Sequence, residues 1–376
     1  MSEHFPLTRN QDLFSAPARQ ITSKVFWQPG ISQREIVDQT QIAQQSASRI
    51  IKELAEQGVL NTRERATTGG RGKPGIDLFI NPDFAYGLGF SITPEFLTMT
   101  LIDLEGKTRH SYTVRPSYLD VDTVMDTFKV FYAQMEQETD LDLSKILGCG
   151  VGISGYFVND ETQMNYPYFI ESWMNVDILA LFEDTFKVPV WVENDATAAA
   201  GGEGVAGAGR QYTDFAYVYI ATLFGGGIVA NREVLRGANG NAGELAELLP
   251  PGIYPHPNLN LLKTILDRNN QPYESVIEML DKLDLDQPGV DEWVHYCKNS
   301  LTLVMSSCAA LLDTQAIIIG GRITEELTNK LLEVSYIYAQ NRRKSPRALP
   351  VMISAKAEGD PVAIGAAAIP FRHFIT

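Results

Sequence analysis

The sequence predicts an α/β protein that carries a winged helix at its N-terminus. Three observations lead there. Within the first 81 residues, two short amphipathic helix patterns are separated by a turn and followed by a Gly-rich hairpin. Further on, the apolar run Val188-Pro189-Val190-Trp191-Val192 hands over at Asn194-Asp195 to an Ala-rich helical stretch. Three more Gly-rich segments follow, around Gly225-Gly226-Gly227, Gly237 to Gly243 and Gly320-Gly321.

In chain order, residues 32–40 read as a short helix, with Ser32 as N-cap, Glu35 completing a capping box, and Ile36 and Val37 apolar. Residues 41–43 form the turn. Residues 44–57 read as a second helix, with Ala47, Ile50, Ile51 and Leu54 on one face and Gly58 as its stop. Gln44, Gln45, Ser46, Ser48 and Arg49 lie off that stripe in the first turns. In a helix-turn-helix the early part of the second helix meets base edges, where Gln suits adenine and Arg suits guanine. A solvated polar face on a protein-binding winged helix would look the same. Residues 59–64 and 76–80 are β-like runs flanking a Gly-rich basic tip that carries Arg71 and Lys73. Glycines let such a tip approach phosphates, and Arg71 suits a narrow A·T-rich minor groove.

Asn81-Pro82 marks a boundary. Beyond it, residues 86–92 and 97–103 with the turn at Glu105-Gly106 make a β-hairpin. At Asn194-Asp195 a strand passes into a helix, and ligands collect outside the carboxyl ends of strands in open α/β sheets. The pair suits a polyol, because the amide donates and accepts while the carboxylate accepts from a hydroxyl or removes its proton. It equally suits a plain N-cap on a close-packed helix of small residues. Helical stretches follow around residues 261–266, 276–283 and 290–311, then a buried strand at 316–323 and a closing helix at 362–369.

A length of 376 residues allows two or three domains, and 44% hydrophobic with 20% charged residues is ordinary for a globular chain. No apolar run reaches membrane-spanning length and no cleavable signal opens the chain, so a cytoplasmic address without a membrane partner is expected. Cys149, Cys297 and Cys308 are scattered and lack ligand spacing, which predicts reduced, buried thiols. The net charge of −15 is uneven: up to Ala85 ten bases face nine acids, leaving −16 for the rest. An acidic body with a near-neutral head would present only the head to DNA.

As an ordered set, these Gly-rich segments with the Asn194-Asp195 stretch resemble the ROK family of sugar kinases and sugar-responsive repressors, from about Ser32 to the C-terminus. The resemblance implies a two-lobed ribonuclease H-like body of the actin-like ATPase and sugar kinase type. It divides the chain into a winged helix-turn-helix at 1–81, a first α/β lobe at 82–198 plus 360–376, and a second lobe at 199–359 holding sugar-pocket and dimerisation elements. Family kinases carry an Asp-x-Gly-Gly-Thr phosphate loop in the first hairpin, and here that loop is Ser91-Ile92-Thr93-Pro94-Glu95. The acid and both glycines are gone, Pro94 lacks an N–H, and Glu95 repels phosphate. The second phosphate loop survives only as Ala221-Thr222-Leu223-Phe224 before three glycines. No catalysis and no cofactor are therefore expected.

By the same resemblance the sugar pocket comprises Ser154, Gly155, Asn194, Asp195, Glu244 and Glu247, with Asp195 at the family's general-base position. Glu247 stands where most members have a histidine that binds both sugar and zinc, and the following segment has no cysteine, so no metal is expected. The function implied is a sequence-specific regulator, a repressor of sugar uptake or catabolism genes, that binds double-stranded operator DNA as a homodimer or tetramer. A small sugar or sugar derivative would release it. Two rivals remain: a residual sugar kinase working through Asp195, and a DNA-binding regulator controlled by a protein partner.

Overall fold

The N-terminal head is built on three helices and a small sheet. A computed structural model describes residues 13–64, 75–159, 163–338 and 347–374; Arg71 and Lys73 lie outside the described residues. Helix α1 (Ala16–Trp27) has Pro17 in its first turn, where a missing N–H costs nothing, and buries Ala18, Ile21, Val25 and Phe26. Strand β1 (Ile31–Ser32) leads into α2 (Gln33–Gln39). The Ser32 N–H donates to the Glu35 carboxylate at 2.8 Å and the Glu35 N–H donates to Ser32 Oγ at 3.2 Å, which is the expected capping box. Helix α3 (Gln44–Glu56) buries Ala47, Ile50, Ile51 and Leu54, and the chain turns away through Gly58 at φ +77°. Strands β2 (Leu60–Glu64) and β3 (Ile76–Ile80) complete an antiparallel sheet of order β1-β3-β2.

The first lobe starts with the meander β4 (Tyr86–Ile92), β5 (Leu97–Asp103) and β6 (Thr108–Val114). Helix α4 (Val121–Glu138), strand β7 (Ile146–Ile153), the hairpin β8 (Tyr156–Asn159) and β9 (Gln163–Asn165), helix α5 (Ile178–Phe186), strand β10 (Val190–Asn194) and helix α6 (Asp195–Ala206) follow. The sheet order is β10-β7-β4-β5-β6, with β4, β7 and β10 parallel. One face is sealed by α4 and α5, where the Phe90 ring meets Phe128, Phe182 and Phe186 at centroid distances of 4.8, 5.0 and 4.7 Å.

The second lobe repeats the plan with β11 (Phe215–Ile220), β12 (Phe224–Ala230) and β13 (Glu233–Val234). Helices α7 (Leu259–Arg268), α8 (Val276–Lys282) and α9 (Val290–Leu311) follow, then β14 (Ala316–Gly321), α10 (Glu325–Val334) and β15 (Val351–Ser354). Its order is β13-β12-β11-β14-β15, so each lobe places an antiparallel meander beside two parallel strands. This duplication is the ribonuclease H-like architecture.

The final helix α11 (Pro361–Phe374) returns to the first lobe and crosses α6. The crossing requires glycine at 365, where a Cβ would lie 1.7 Å from the Ala198 carbonyl oxygen, and the seat of α11 on β4 requires it at 89, where a Cβ would lie 1.9 Å from the Ala363 carbonyl oxygen. Residue 198, taken above as a lobe limit, falls inside α6, which packs against α11 on one side and β11 and β12 on the other. Head and body share a core: Ile21, Val25 and Ile80 cluster with Leu104, Val205 and Phe371.

Candidate functional site

The cleft forms where β7 and β10 end together. Parallel pairing brings Asn194 opposite Ile153, and so sets Ser154 and Gly155 beside the start of α6. Asn194 Oδ1 accepts the Thr197 N–H at 3.0 Å while its Nδ2 donates to the Gly155 carbonyl at 2.8 Å. The residue is thus an N-cap, and the same amide ties the two strand ends. Asp195 accepts the Ala196 N–H at 2.9 Å through Oδ1 and the Ser154 hydroxyl through Oδ2. A cavity of about 240 Å³ opens here, lined by Ser154, Gly155, Asn194, Asp195 and Glu244, and also by Glu95, Tyr156, Asn165, Tyr166 and Tyr219.

Glu247 is placed differently. It is exposed on the turn Leu245–Leu248 and does not line the cavity, although its charge reaches Glu244. The reason is local: Gly243 at φ +99° turns the chain so that Glu244 faces the cleft and Leu245 the core, which leaves Glu247 outside.

The electrostatics of the cleft are set by desolvation. Asp195 opens onto the cavity but is otherwise surrounded by protein, and this burial holds its carboxyl above the usual range, only partly countered by the Ser154 hydroxyl and the Ala196 N–H. Burial also pushes Glu244 up to about 7, with the Asp195 and Glu247 charges adding to the effect. Such groups receive hydroxyl hydrogens or, when protonated, donate one, which suits a polyhydroxylated ligand.

Neither Glu95 nor Tyr219 was foreseen as a pocket residue. Glu95 is 1% exposed, and its Oε1 accepts the Thr222 N–H at 2.6 Å. Tyr219 sits in a strand whose every residue is buried, so the sequence alone reads it as core. A larger cavity of about 610 Å³ lies elsewhere, between Val25, Phe26 and Ile80 of the head and Lys107, Val205 and Arg210 of the body. It lacks the strand-end carboxylates.

The zinc implied by the resemblance does not fit the residues present. Between residues 242 and 258 the only nitrogen or sulfur side chains of ligand type come from His256, whose Nε2 lies 3.3 Å from the Leu249 carbonyl oxygen. The segment is instead held by hydrogen bonds, including Ser300 Oγ donating to the Pro255 carbonyl at 2.6 Å.

On the head, Gln44, Gln45, Ser46, Ser48 and Arg49 are all exposed along the outer face of α3. Gln33 Nε2 donates to Ser48 Oγ, which fixes α2 against α3, and Arg49 pairs with Glu53 at 2.8 Å. An exposed pair of this kind is worth at most about 1 kcal/mol, so it yields readily to a better partner.

A winged helix joined to a two-lobed body with a polar interlobe cleft defines a class: helix-turn-helix proteins built on a sugar-kinase fold. The model of the ROK family matches residues 89–251 and that of the MarR family matches residues 28–72. The chain therefore carries a ROK family domain behind a MarR-type winged helix-turn-helix. Among its relatives are the xylose repressor of Bacillus subtilis, 27% identical over 58% of this chain and 56% of that protein, and the DNA-binding transcriptional dual regulator NagC of Escherichia coli, 26% identical over 78% and 77%. The crystal structure of a ROK family transcriptional regulator, a homolog of the E. coli MLC protein, superposes with a TM-score of 0.62 at 18% identity, covering 95% of each chain.

Proposed function

We propose that this protein is a sequence-specific transcriptional repressor that binds operator DNA through α3 and the wing and is released when a small sugar occupies the interlobe cleft. One observation carries the reading. Helix α6 begins at the ligand site and ends against the head, where the Arg210 guanidinium donates to the carbonyls of Val205 at 2.9 Å, Phe26 at 3.0 Å and Glu105 at 3.4 Å. Phe26 belongs to α1, so a shift of α6 on ligand binding reaches the head through one helix and one side chain. The relative named as a xylose repressor agrees with this role, and the one named as a DNA-binding transcriptional dual regulator agrees with its DNA-binding part.

The protein acts as at least a dimer, since two-fold operators call for two heads. It works in the cytoplasm; among the described residues no helix is long and apolar enough to cross a membrane. It is not an enzyme, because Glu95 already takes the Thr222 N–H of the loop that would hold a phosphate. The retained Asp195 favours one rival, a residual sugar kinase, which an ATP-dependent phosphorylation assay over a sugar panel would detect.

The test is to sequence source-genome fragments retained by the purified protein near physiological salt. Recovery of a few two-fold sites beside transport or catabolic genes supports the repressor and nominates a sugar for the release assay. Random fragments held only at low salt would overturn it.

A further inference from the structure

The charge of the ligand can be read from the walls of the cleft. Three carboxylates line it, those of Glu95, Asp195 and Glu244, and among the described residues no lysine, arginine or histidine does. A cation whose field reaches Asp195 is Arg322, and it is committed elsewhere: its Nη2 donates to Asp360 at 2.8 Å and to Thr93 Oγ1 at 3.3 Å, while its guanidinium lies 5.1 Å from the centre of the Phe96 ring. These contacts fix residues 93–96 from both sides and hold Glu95 in place.

From there Glu95 reaches across the cleft to Thr222, 127 residues away, in the short turn between β11 and the Gly-rich start of β12, and its carboxylate takes an N–H that an anion could otherwise use. Its other oxygen, Oε2, and the Tyr219 hydroxyl are buried without a hydrogen-bond partner among the described residues, and both residues line the cavity. An acceptor and a hydroxyl left waiting in this way suit a donor from the ligand, and a second negative charge beside them would be repelled in a medium of low dielectric.

We propose that Glu95 sets the charge class of the ligand: by taking the Thr222 N–H it closes the cleft to sugar phosphates and leaves a site for uncharged or ammonium-bearing sugars. This rests on the reading of the cleft as an effector site. It adds that phosphorylation of the sugar removes it as an effector, so the repressor responds to the sugar before any phosphoryl transfer.

Isothermal titration tests this with D-xylose, D-glucose, D-glucosamine, N-acetyl-D-glucosamine and the 6-phosphates of the three hexoses, on the full chain and on Glu95→Gln and Glu95→Asp. Glutamine keeps an oxygen for the Thr222 N–H and loses the charge, whereas aspartate keeps the charge. The expected result is that at least one hexose binds, that its 6-phosphate binds about a hundredfold more weakly, and that Glu95→Gln but not Glu95→Asp narrows this gap by about tenfold. A 6-phosphate that binds the wild type as tightly as its parent overturns the proposal, and an unchanged gap in Glu95→Gln overturns the part given to Glu95. Binding of no sugar is distinguished by the operator experiment: a protein that holds its operators yet binds none of the panel loses its effector reading, and this inference with it. Binding of D-xylose alone removes the 6-phosphate comparison, and D-xylonate then serves as the anionic probe, with binding equal to that of D-xylose overturning the proposal.

Discussion

At the scale of single residues, Asn194 and Asp195 divide the work. Asn194 spends both ends of its amide on Thr197 and Gly155, so its part is to hold the cleft in shape. Asp195 retains lone pairs facing the cavity. Asp195→Ala should therefore weaken sugar binding by about a hundredfold, the loss of a charged hydrogen bond, with operator affinity in the absence of sugar unchanged; titration calorimetry and a gel-shift assay check the two halves. Glu244 predicts a pH effect. Its carboxyl rises from 4.5 to about 7 on folding, so the stability it contributes is complete below pH 4.5 and is lost as pH rises through about 7. Glu244→Gln abolishes that titration, and its melting temperature should exceed that of the wild type above pH 7 while the two converge near pH 4.5. The strand-to-helix position of Asn194 and Asp195 was legible because it is local. The place of Glu95 was not, since its partner Thr222 comes from another lobe, and a sequence shows the charge without the N–H that receives it.

At the scale of elements, the helix-turn-helix was readable because caps and stripes are written within a few residues. Ser32→Ala removes the Oγ that accepts the Glu35 N–H and donates to the Glu35 carboxylate while leaving the Ser32 backbone N–H in place, and should cost about 1 kcal/mol in urea unfolding. Helix α1 was not foreseen, although Pro17 at its start and the spacing of Ile21, Val25 and Phe26 carry the signal; Thr22 on the buried side interrupts the stripe by donating to the Ala18 carbonyl at 3.1 Å. That helix touches the body, where the Phe26 carbonyl accepts from the Arg210 guanidinium at 3.0 Å. The strands around the wing are in place, and Arg63 stacks on the Phe79 ring at 4.9 Å. If the tip contacts DNA, Arg71→Ala should weaken operator binding and lower the salt slope by about one unit, measured by fluorescence anisotropy over a salt series. An unchanged affinity removes the wing from the interface.

At the scale of the whole molecule, the two-lobed body was legible only through the ordered set of Gly-rich motifs, and the five-strand order of each lobe was not, because no single segment states which strands pair. What the sequence could not show is that head and body share one core, or that α6 spans from the interlobe cleft to the head. Those two facts give the proposed effector a path to the head. If sugar lowers operator affinity by some factor, operator must lower sugar affinity by the same factor, since both measure one coupling free energy, typically about 1–3 kcal/mol. Arg210 is the narrowest part of the connection, held in a largely buried position by three carbonyls and lying 5.2 Å from the centre of the Phe26 ring. Arg210→Met keeps much of the side chain's bulk and removes its donors. In this variant sugar should still bind and operator should still bind, yet each should cease to alter the affinity of the other, both ratios falling toward one. Equal and undiminished ratios in Arg210→Met would show that the coupling runs through the shared apolar core of Val25, Val205 and Phe371 rather than through the Arg210 hydrogen bonds, and Val205→Ala would then be the variant that lowers it.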